Sequence, residues 1–284
     1  MDDARYSQWR KARLDNYPGR AQELRVEIGG LTNLSDTEKT AIVDVCNRSN
    51  MAIYSCRDDF VDRAAIRTFA AEFGLQRADL HLCANDDGVS ELTVASEGTR
   101  SGYVPYSNRS LSWHTDGYYN DSLHQVHAIV LHCSAVPETG GENALLDHEI
   151  AYIRLRDKDP RYITAFEHPR CMTIPANSGT QGEIRPVARG PVFSYASGSG
   201  RIHMRYSARK RNIQWRDDNL TSDARECLAE ILADENAPIL RYRLQPGEGL
   251  ISNNVLHNRT AFKDGSGHKR SLCRARFFDR VKTC

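Results

Sequence analysis

The apolar residues of this chain recur at helical spacing in its first quarter and at strand-like spacing after it. Ser35-Asp36-Thr37-Glu38 has the form of a capping box, with Ser35 as N-cap and Glu38 three residues on. Ala41, Ile42, Val45 and Cys46 then fall on one helical face, which predicts a helix. Met51 to Cys56 is a short apolar run that reads as a buried strand. Phe60, Val61, Ala64, Ala65, Thr68, Phe69 and Phe73 predict a second helix, stopped by Gly74 at its C′ position.

From there the pattern favours strands: Leu92–Ser96, Gln125–Val136, Val192–Tyr195, Arg201–Tyr206, Ile239–Leu244, Gly249–Leu256 and Ser271–Arg280. Pro186 and Pro191 keep the third from extending backwards as a central strand. Residues 137–143 (Pro-Glu-Thr-Gly-Gly-Glu-Asn) read as a turn. Two helices, Asp147–Arg156 and Ser222–Glu235 with Ser222 as its cap, interrupt the strands. Helices first and many strands afterwards make an α+β, mainly β fold, centred on a β sandwich or barrel. Residues 1–34 read as an irregular N-terminal arm and 35–284 as a single domain. Tyr6, Trp9 and Tyr17 lie among charges in that arm, which leaves packing on its own barrel or on a second copy of the chain, as a homo-oligomer, both open.

Charge and composition narrow the function. Lys+Arg is 38 against 37 Asp+Glu, a net charge of +1, without the basic excess of a nucleic-acid binder. A mean hydropathy of −0.58 and the lack of a long apolar run exclude a membrane-spanning helix. The opening residues carry no apolar stretch of the signal-peptide kind. The eight cysteines include no C-x-x-C pair, so the closely spaced thiolates of a structural zinc site are missing. The expectation is a cytoplasmic protein with reduced thiols.

The chemistry concentrates in Trp113-His114-Thr115-Asp116-Gly117. On an extended segment, positions i and i+2 share a face. His114 and Asp116 can then meet one metal ion, with Thr115 turned away. An imidazole and a carboxylate are two members of a facial triad, and His257, just after a predicted strand, is the candidate for the third. Taken alone, an H-x-D is more often chance, and a lone His more often a hydrogen-bonded structural residue. His124 and His127 also lie three apart, but on a strand they would face opposite ways. On the last strand Arg270, Leu272, Arg274, Arg276 and Phe278 alternate with Ser271, Cys273, Ala275 and Phe277. Hydrophobicity would put the arginines in solvent. The other reading turns Arg270 and Arg274 inward, where each needs an anionic partner. Periodicity does not choose between them.

Together these motifs resemble the taurine dioxygenase/clavaminate synthase-like family of iron(II)- and 2-oxoglutarate-dependent oxygenases. The resemblance spans about residues 35–280. It rests on Ala52-Ile53-Tyr54 followed by Phe60 and Phe69-Ala70-Ala71-Glu72-Phe73-Gly74, on Trp113 to Gly117, on Thr139-Gly140-Gly141-Glu142-Asn143, and on Leu256-His257-Asn258-Arg259 followed by Arg270 and Arg274. It implies a double-stranded β-helix, or jelly roll, with flanking helices. It implies iron(II) bound by His114, Asp116 and His257, with 2-oxoglutarate and O2 as cosubstrates. Arg270 would pair with the distal carboxylate of 2-oxoglutarate. Asn143 would assist it, standing where the family often has Thr. Arg274 would face either the substrate's anionic group or 2-oxoglutarate. The presence of Asp116 speaks against a halogenase, which vacates that position for chloride.

The implied reaction hydroxylates, or oxidatively cleaves, a small polar metabolite, with release of succinate and CO2. Tyr118 and Tyr119 are candidate pocket walls, though ordinary packing explains them equally well. In the basic segment 201–211, Arg205 is a candidate grip on an anionic substrate, against the plainer reading of a solvated strand and loop. Two other classes compete. One is a catalytically silent metal- and 2-oxoglutarate-binding sensor. The other is a modifier of a macromolecule, supported only by the basic segment.

Overall fold

The computed structural model describes residues 3–57, 61–81, 83–179, 182–196, 200–267 and 269–282; Phe60, placed by the sequence at the start of the second helix, lies outside them. Among the described residues, six α-helices mix with many short strands, as the α+β expectation required.

The local signals act where they were read. Helix α1 (Asp3–Asn16) is followed by strand β1 (Arg25–Glu27) and helix α2 (Asp36–Ser49). The Ser35 hydroxyl accepts from the Glu38 N–H and the Glu38 carboxylate accepts from the Ser35 N–H, a complete capping box worth about 1 kcal/mol. Strand β2 (Met51–Ser55) is buried along its whole length. Helix α3 (Arg63–Glu72) ends before Gly74, whose φ of 78° no β-carbon-bearing residue adopts easily.

Eight more strands complete the two main sheets: β3 (Val89–Leu92), β4 (Leu111–His114), β5 (Ala128–Ala135), β6 (Asn143–Leu146), β7 (Leu240–Tyr242), β8 (Glu248–Ser252), β9 (Leu256–Arg259) and β10 (Ser271–Phe277). The larger sheet runs β1-β2-β8-β5-β10-β3 and the smaller β7-β6-β9-β4. Only β1 and β2 pair in parallel; the remaining neighbours in both sheets are antiparallel. Residues of both sheets, among them Leu131, Leu250, Ala275, Leu145 and Leu240, share one apolar cluster. A second cluster joins helices α4 (His148–Lys158), α5 (Pro160–Phe166) and α6 (Asn219–Ala233) to short strands including Phe193–Tyr195 and Ile202–Met204.

Several sequence expectations need correction. The first 34 residues are not an irregular arm. Helix α1 docks through polar and aromatic contacts: Tyr6 Oη donates to Asp157 at 2.9 Å, Arg10 Nε donates to Asp157, and Arg156 lies over the Tyr6 ring at 3.8 Å. Such a helix carries almost no apolar stripe, so hydrophobic spacing does not reveal it. The strand expected at Leu92–Ser96 sits earlier, because Val94 is 48% exposed while Val89 and Leu92 pack inside. Helix α6 starts ahead of Ser222: the Asp218 carboxylate accepts from the Thr221 N–H at 3.0 Å and takes the capping role. The run Gly249–Leu256 is not one strand. It breaks at Asn254, whose φ of 55° is left-handed, and its two parts, β8 and β9, belong to different sheets.

Candidate metal centre

Strands β4 and β9 pair so that His114 stands directly opposite His257, with ring centroids 4.3 Å apart. Asp116 follows two residues beyond His114. Among the described residues, His114, Asp116 and His257 are the one group whose ligand atoms all lie within 4.8 Å of one another. All three are less than 9% exposed. Thr115 turns away, as the extended spacing predicts: its backbone N–H donates to Tyr206 O and its Oγ1 accepts from Tyr206 N.

The donor set is ordered from behind. His114 Nδ1 lies 2.8 Å from Ser112 O, and His257 Nδ1 lies 2.9 Å from Val255 O. A carbonyl only accepts, so each Nδ1 carries a proton and Nε2 is the ring nitrogen left for a metal. Burial, with His257 adding to it, lowers the His114 pKa to about 3, so the ring stays neutral at physiological pH. Burial raises the Asp116 pKa, but Arg274 and then Arg276 outweigh it and hold the carboxyl well below the usual range. Two imidazoles held by their Nδ1 atoms, with Nε2 left for a ligand, and one ionised carboxylate are the donors that a facial triad for a divalent iron requires.

Asn254 fixes this geometry, and the sequence analysis missed it. Its Oδ1 accepts from the Asp116 N–H at 2.7 Å, while its Nδ2 donates to Asp116 O at 2.9 Å and Val126 O at 2.6 Å. One fully buried amide thus ties the Asp116 loop to the turn that precedes His257. The left-handed turn that brings it there is a cue that asparagine tolerates and most residues do not. Gly117, at φ 67°, completes the loop: a β-carbon there would come within 2.4 Å of Val126 Cγ2.

The arginine face of β10 points inward. Arg270, Arg274 and Arg276 are 5%, 7% and 2% exposed. Strand β10 lies between β5 and β3, and it is buried on both faces from Leu272 to Phe277. The charges find partners there. Arg274 Nη1 lies 3.1 and 3.2 Å from the two Asp116 oxygens. Arg276 pairs with Asp79 and donates to Tyr119 Oη at 2.7 Å. Among the described residues, the Arg270 guanidinium meets the Leu92 carbonyl at 3.4 Å and the Phe262 ring at 5.1 Å. Burial lowers its pKa to about 10. Arg270 and Asn143 line one small cavity, together with Cys133 and Arg243. Asn143 Nδ2 donates to Asn258 O at 3.0 Å, which fixes the side chain beside β9.

Tyr118 sits edge-on to His114 with centroids 6.4 Å apart, and Tyr119 packs edge-on to Tyr118 at 5.3 Å. Arg205 does not reach this site. Its guanidinium is buried and donates to the carbonyls of Met172, Ala188 and Gly190, at 3.0, 3.1 and 3.4 Å. It braces the small sheets and is not an anion grip. The periodicity that put it next to Met204 and Tyr206 said nothing of those carbonyls. His124 and His127 do not form a pair either: His124 binds Asp121, and His127 lies tilted against His203 with centroids 4.3 Å apart.

A family model described as taurine catabolism dioxygenase TauD, TfdA family, matches residues 17–276. Uridine-5'-phosphate dioxygenase from Amycolatopsis sp is 28% identical over 171 residues, 57% of this chain; the match spans 59% of that relative's length. Two solved structures are similar in fold. A taurine dioxygenase from Burkholderia xenovorans aligns with a TM-score of 0.60 at 17% identity, covering 92% of this chain and 88% of that one. AAD-2, in complex with Mn(II) and N-oxalylglycine, aligns with a TM-score of 0.61 at 14% identity, covering 92% and 95%.

Proposed function

The chain belongs to the taurine catabolism dioxygenase TauD, TfdA family of iron(II)- and 2-oxoglutarate-dependent dioxygenases, and on that premise we propose that it oxidises a small, polar, anionic metabolite in the cytoplasm. The observation that carries this reading is the convergence of His114, Asp116 and His257, with both imidazole Nδ1 atoms committed to backbone carbonyls. We read the two facing sheets as the jelly roll expected from the sequence, formed by residues 35–284 with the first 34 residues packed on it.

In this reading His114 Nε2, His257 Nε2 and an Asp116 oxygen hold the iron. Bound there with 2-oxoglutarate and O2, the iron supplies an oxidation that yields succinate, CO2 and an oxygenated substrate. Three protein ligands leave open positions for the cosubstrates. Arg270 binds the distal carboxylate of 2-oxoglutarate, and Asn143 closes the same cavity. Arg274 balances the Asp116 charge. Tyr118 and Tyr119 wall the approach to His114 and keep water from the reacting carbon.

The test is succinate formation from 2-oxoglutarate with iron(II) and ascorbate, with and without candidate substrates, uridine-5'-phosphate and taurine among them. Stimulation by one compound and a matching mass change in it supports the proposal. Binding of 2-oxoglutarate with no succinate under any condition would favour a silent sensor.

Two further results are expected. Arg270→Gln raises the KM for 2-oxoglutarate about 10²-fold, since it removes the charge from a buried hydrogen-bonded contact. Steady-state kinetics with varied 2-oxoglutarate checks it, and an unchanged KM would remove Arg270 from the cosubstrate site. Asn254→Ala frees the Asp116 peptide and weakens metal binding by about 10- to 100-fold, the range for groups that orient ligands. Mn(II) titration followed by electron paramagnetic resonance reads this directly. An unaltered affinity at intact thermal stability would show that the clamp does not position the ligand.

A further inference from the structure

Arg209 and Arg185 contact Tyr118 and Tyr119, and Tyr118 packs edge-on to His114. Arg209 is exposed, and its Nη1 donates to Tyr118 Oη at 2.6 Å. Arg185 is half-buried; its guanidinium lies 5.7 Å from the Tyr119 ring centre and donates to Tyr119 O at 3.3 Å, Pro186 O at 2.8 Å and Pro175 O at 2.7 Å. Neither has a carboxylate partner among the described residues. The cations nearer the metal ligands differ: Arg274 is matched by Asp116 and Arg276 by Asp79. Two positive charges without a carboxylate partner among the described residues therefore stand beside the two aromatic rings. Burial lowers the Arg185 pKa from the usual arginine value, and the like charge of Arg209 adds to this.

An arginine has five N–H donors in a planar fork. Arg209 spends one on Tyr118, which orients the fork and leaves its remaining donors for a ligand. Arg185 spends most of its donors on backbone carbonyls, so it acts as a fixed charge that also pins the 175–186 segment to Tyr119. Two adjacent cations match a dianion better than a monoanion. A phosphate monoester carries a charge near −2 at pH 7, while a carboxylate or a sulfonate carries −1.

We propose that Arg209, held by Tyr118 and backed by the Arg185 charge, grips the anionic end of the substrate, and that this end is a phosphate monoester. The organic part then lies along Tyr118 and Tyr119 toward His114. This assignment rests on the oxygenase reading, whose substrate class it narrows.

The test uses the whole chain loaded with Mn(II), so that no turnover intervenes. 2-Oxoglutarate is titrated first by calorimetry, and inorganic phosphate is then titrated into the loaded protein, with acetate and methanesulfonate as monoanion probes. Saturable phosphate binding is expected, tighter than that of either monoanion. Arg209→Gln weakens it about tenfold, the loss expected for one charge-assisted contact. Arg209→Lys keeps part of the affinity because it keeps the charge, and Tyr118→Phe produces a smaller loss because it keeps the ring but releases the guanidinium. Arg209 is exposed, so these variants are expected to fold. If 2-oxoglutarate fails to bind, the oxygenase reading falls and takes the grip with it. If 2-oxoglutarate binds but phosphate does not, binds no better than acetate, or binds unchanged in Arg209→Gln, the grip falls alone.

Discussion

Asp116→Ala is expected to abolish both metal binding and succinate production. The loss should exceed the about 10- to 100-fold cost typical of residues that only orient ligands, because a donor atom itself is removed. The variant also strips Arg274 of its partner. Arg274 is 7% exposed and its Nε already lacks a hydrogen-bond partner, so the remaining charge sits in a poorly solvated place. Breaking one side of a buried pair typically costs about 3–5 kcal/mol. Activity and stability then separate in a double variant. Asp116→Ala with Arg274→Ala should recover part of the lost stability and none of the metal affinity. Mn(II) titration, succinate assay and urea melts on the three proteins check this. Full turnover by Asp116→Ala would overturn the iron assignment.

The largest stability effect is expected far from the chemistry, at Asp147. This residue is fully buried and joins three elements. It caps α4 by accepting from the Glu149 N–H at 2.8 Å, pairs with Arg13 of α1, and accepts from Asn50 Nδ2 at 2.9 Å at the end of α2. Glu149 forms a second ion pair with Arg13, Nε to Oε2 at 2.8 Å. Asp147→Ala leaves the Asn50 amide unmatched, removes the helix cap and halves the countercharge of Arg13. The expected cost is about 3–5 kcal/mol, a large share of the about 5–15 kcal/mol that holds a domain folded. The urea midpoint should fall, and limited proteolysis should release the first twenty or so residues, since α1 has little apolar contact to hold it otherwise. A change below about 1 kcal/mol, with the N-terminal segment still protected, would show that α1 docks by other means.

What was legible in the sequence follows from how far each signal reaches. The Ser35 capping box, the Gly74 stop and the Met51–Ser55 strand depend on neighbours within a few residues, and the structure has them at the expected places. The His114 and Asp116 spacing is local as well, set by the two-residue period of an extended chain. Helix α1 escaped because its anchors are charges and rings whose partners, Asp157 and Arg156, lie far along the chain.

The order of motifs and the residue types were enough to name His114, Asp116 and His257 together. Their meeting was not a property of the sequence pattern: it needs β4 and β9 to pair in one register, with Asn254 holding the loop. The same holds for the arginines. Alternation along β10 shows that Arg270, Arg274 and Arg276 share a face. Whether that face meets solvent depends on what packs against it, and the fold buries β10 on both faces. Arg205 and Arg209 read alike in a basic segment, yet backbone carbonyls absorb the first while the second, exposed, donates to Tyr118. The sequence by itself determined the chemistry available and the local elements that carry it. The tertiary structure alone decided which charges face the metal ligands, because burial and partner choice are set by strand order and register rather than by neighbours along the chain.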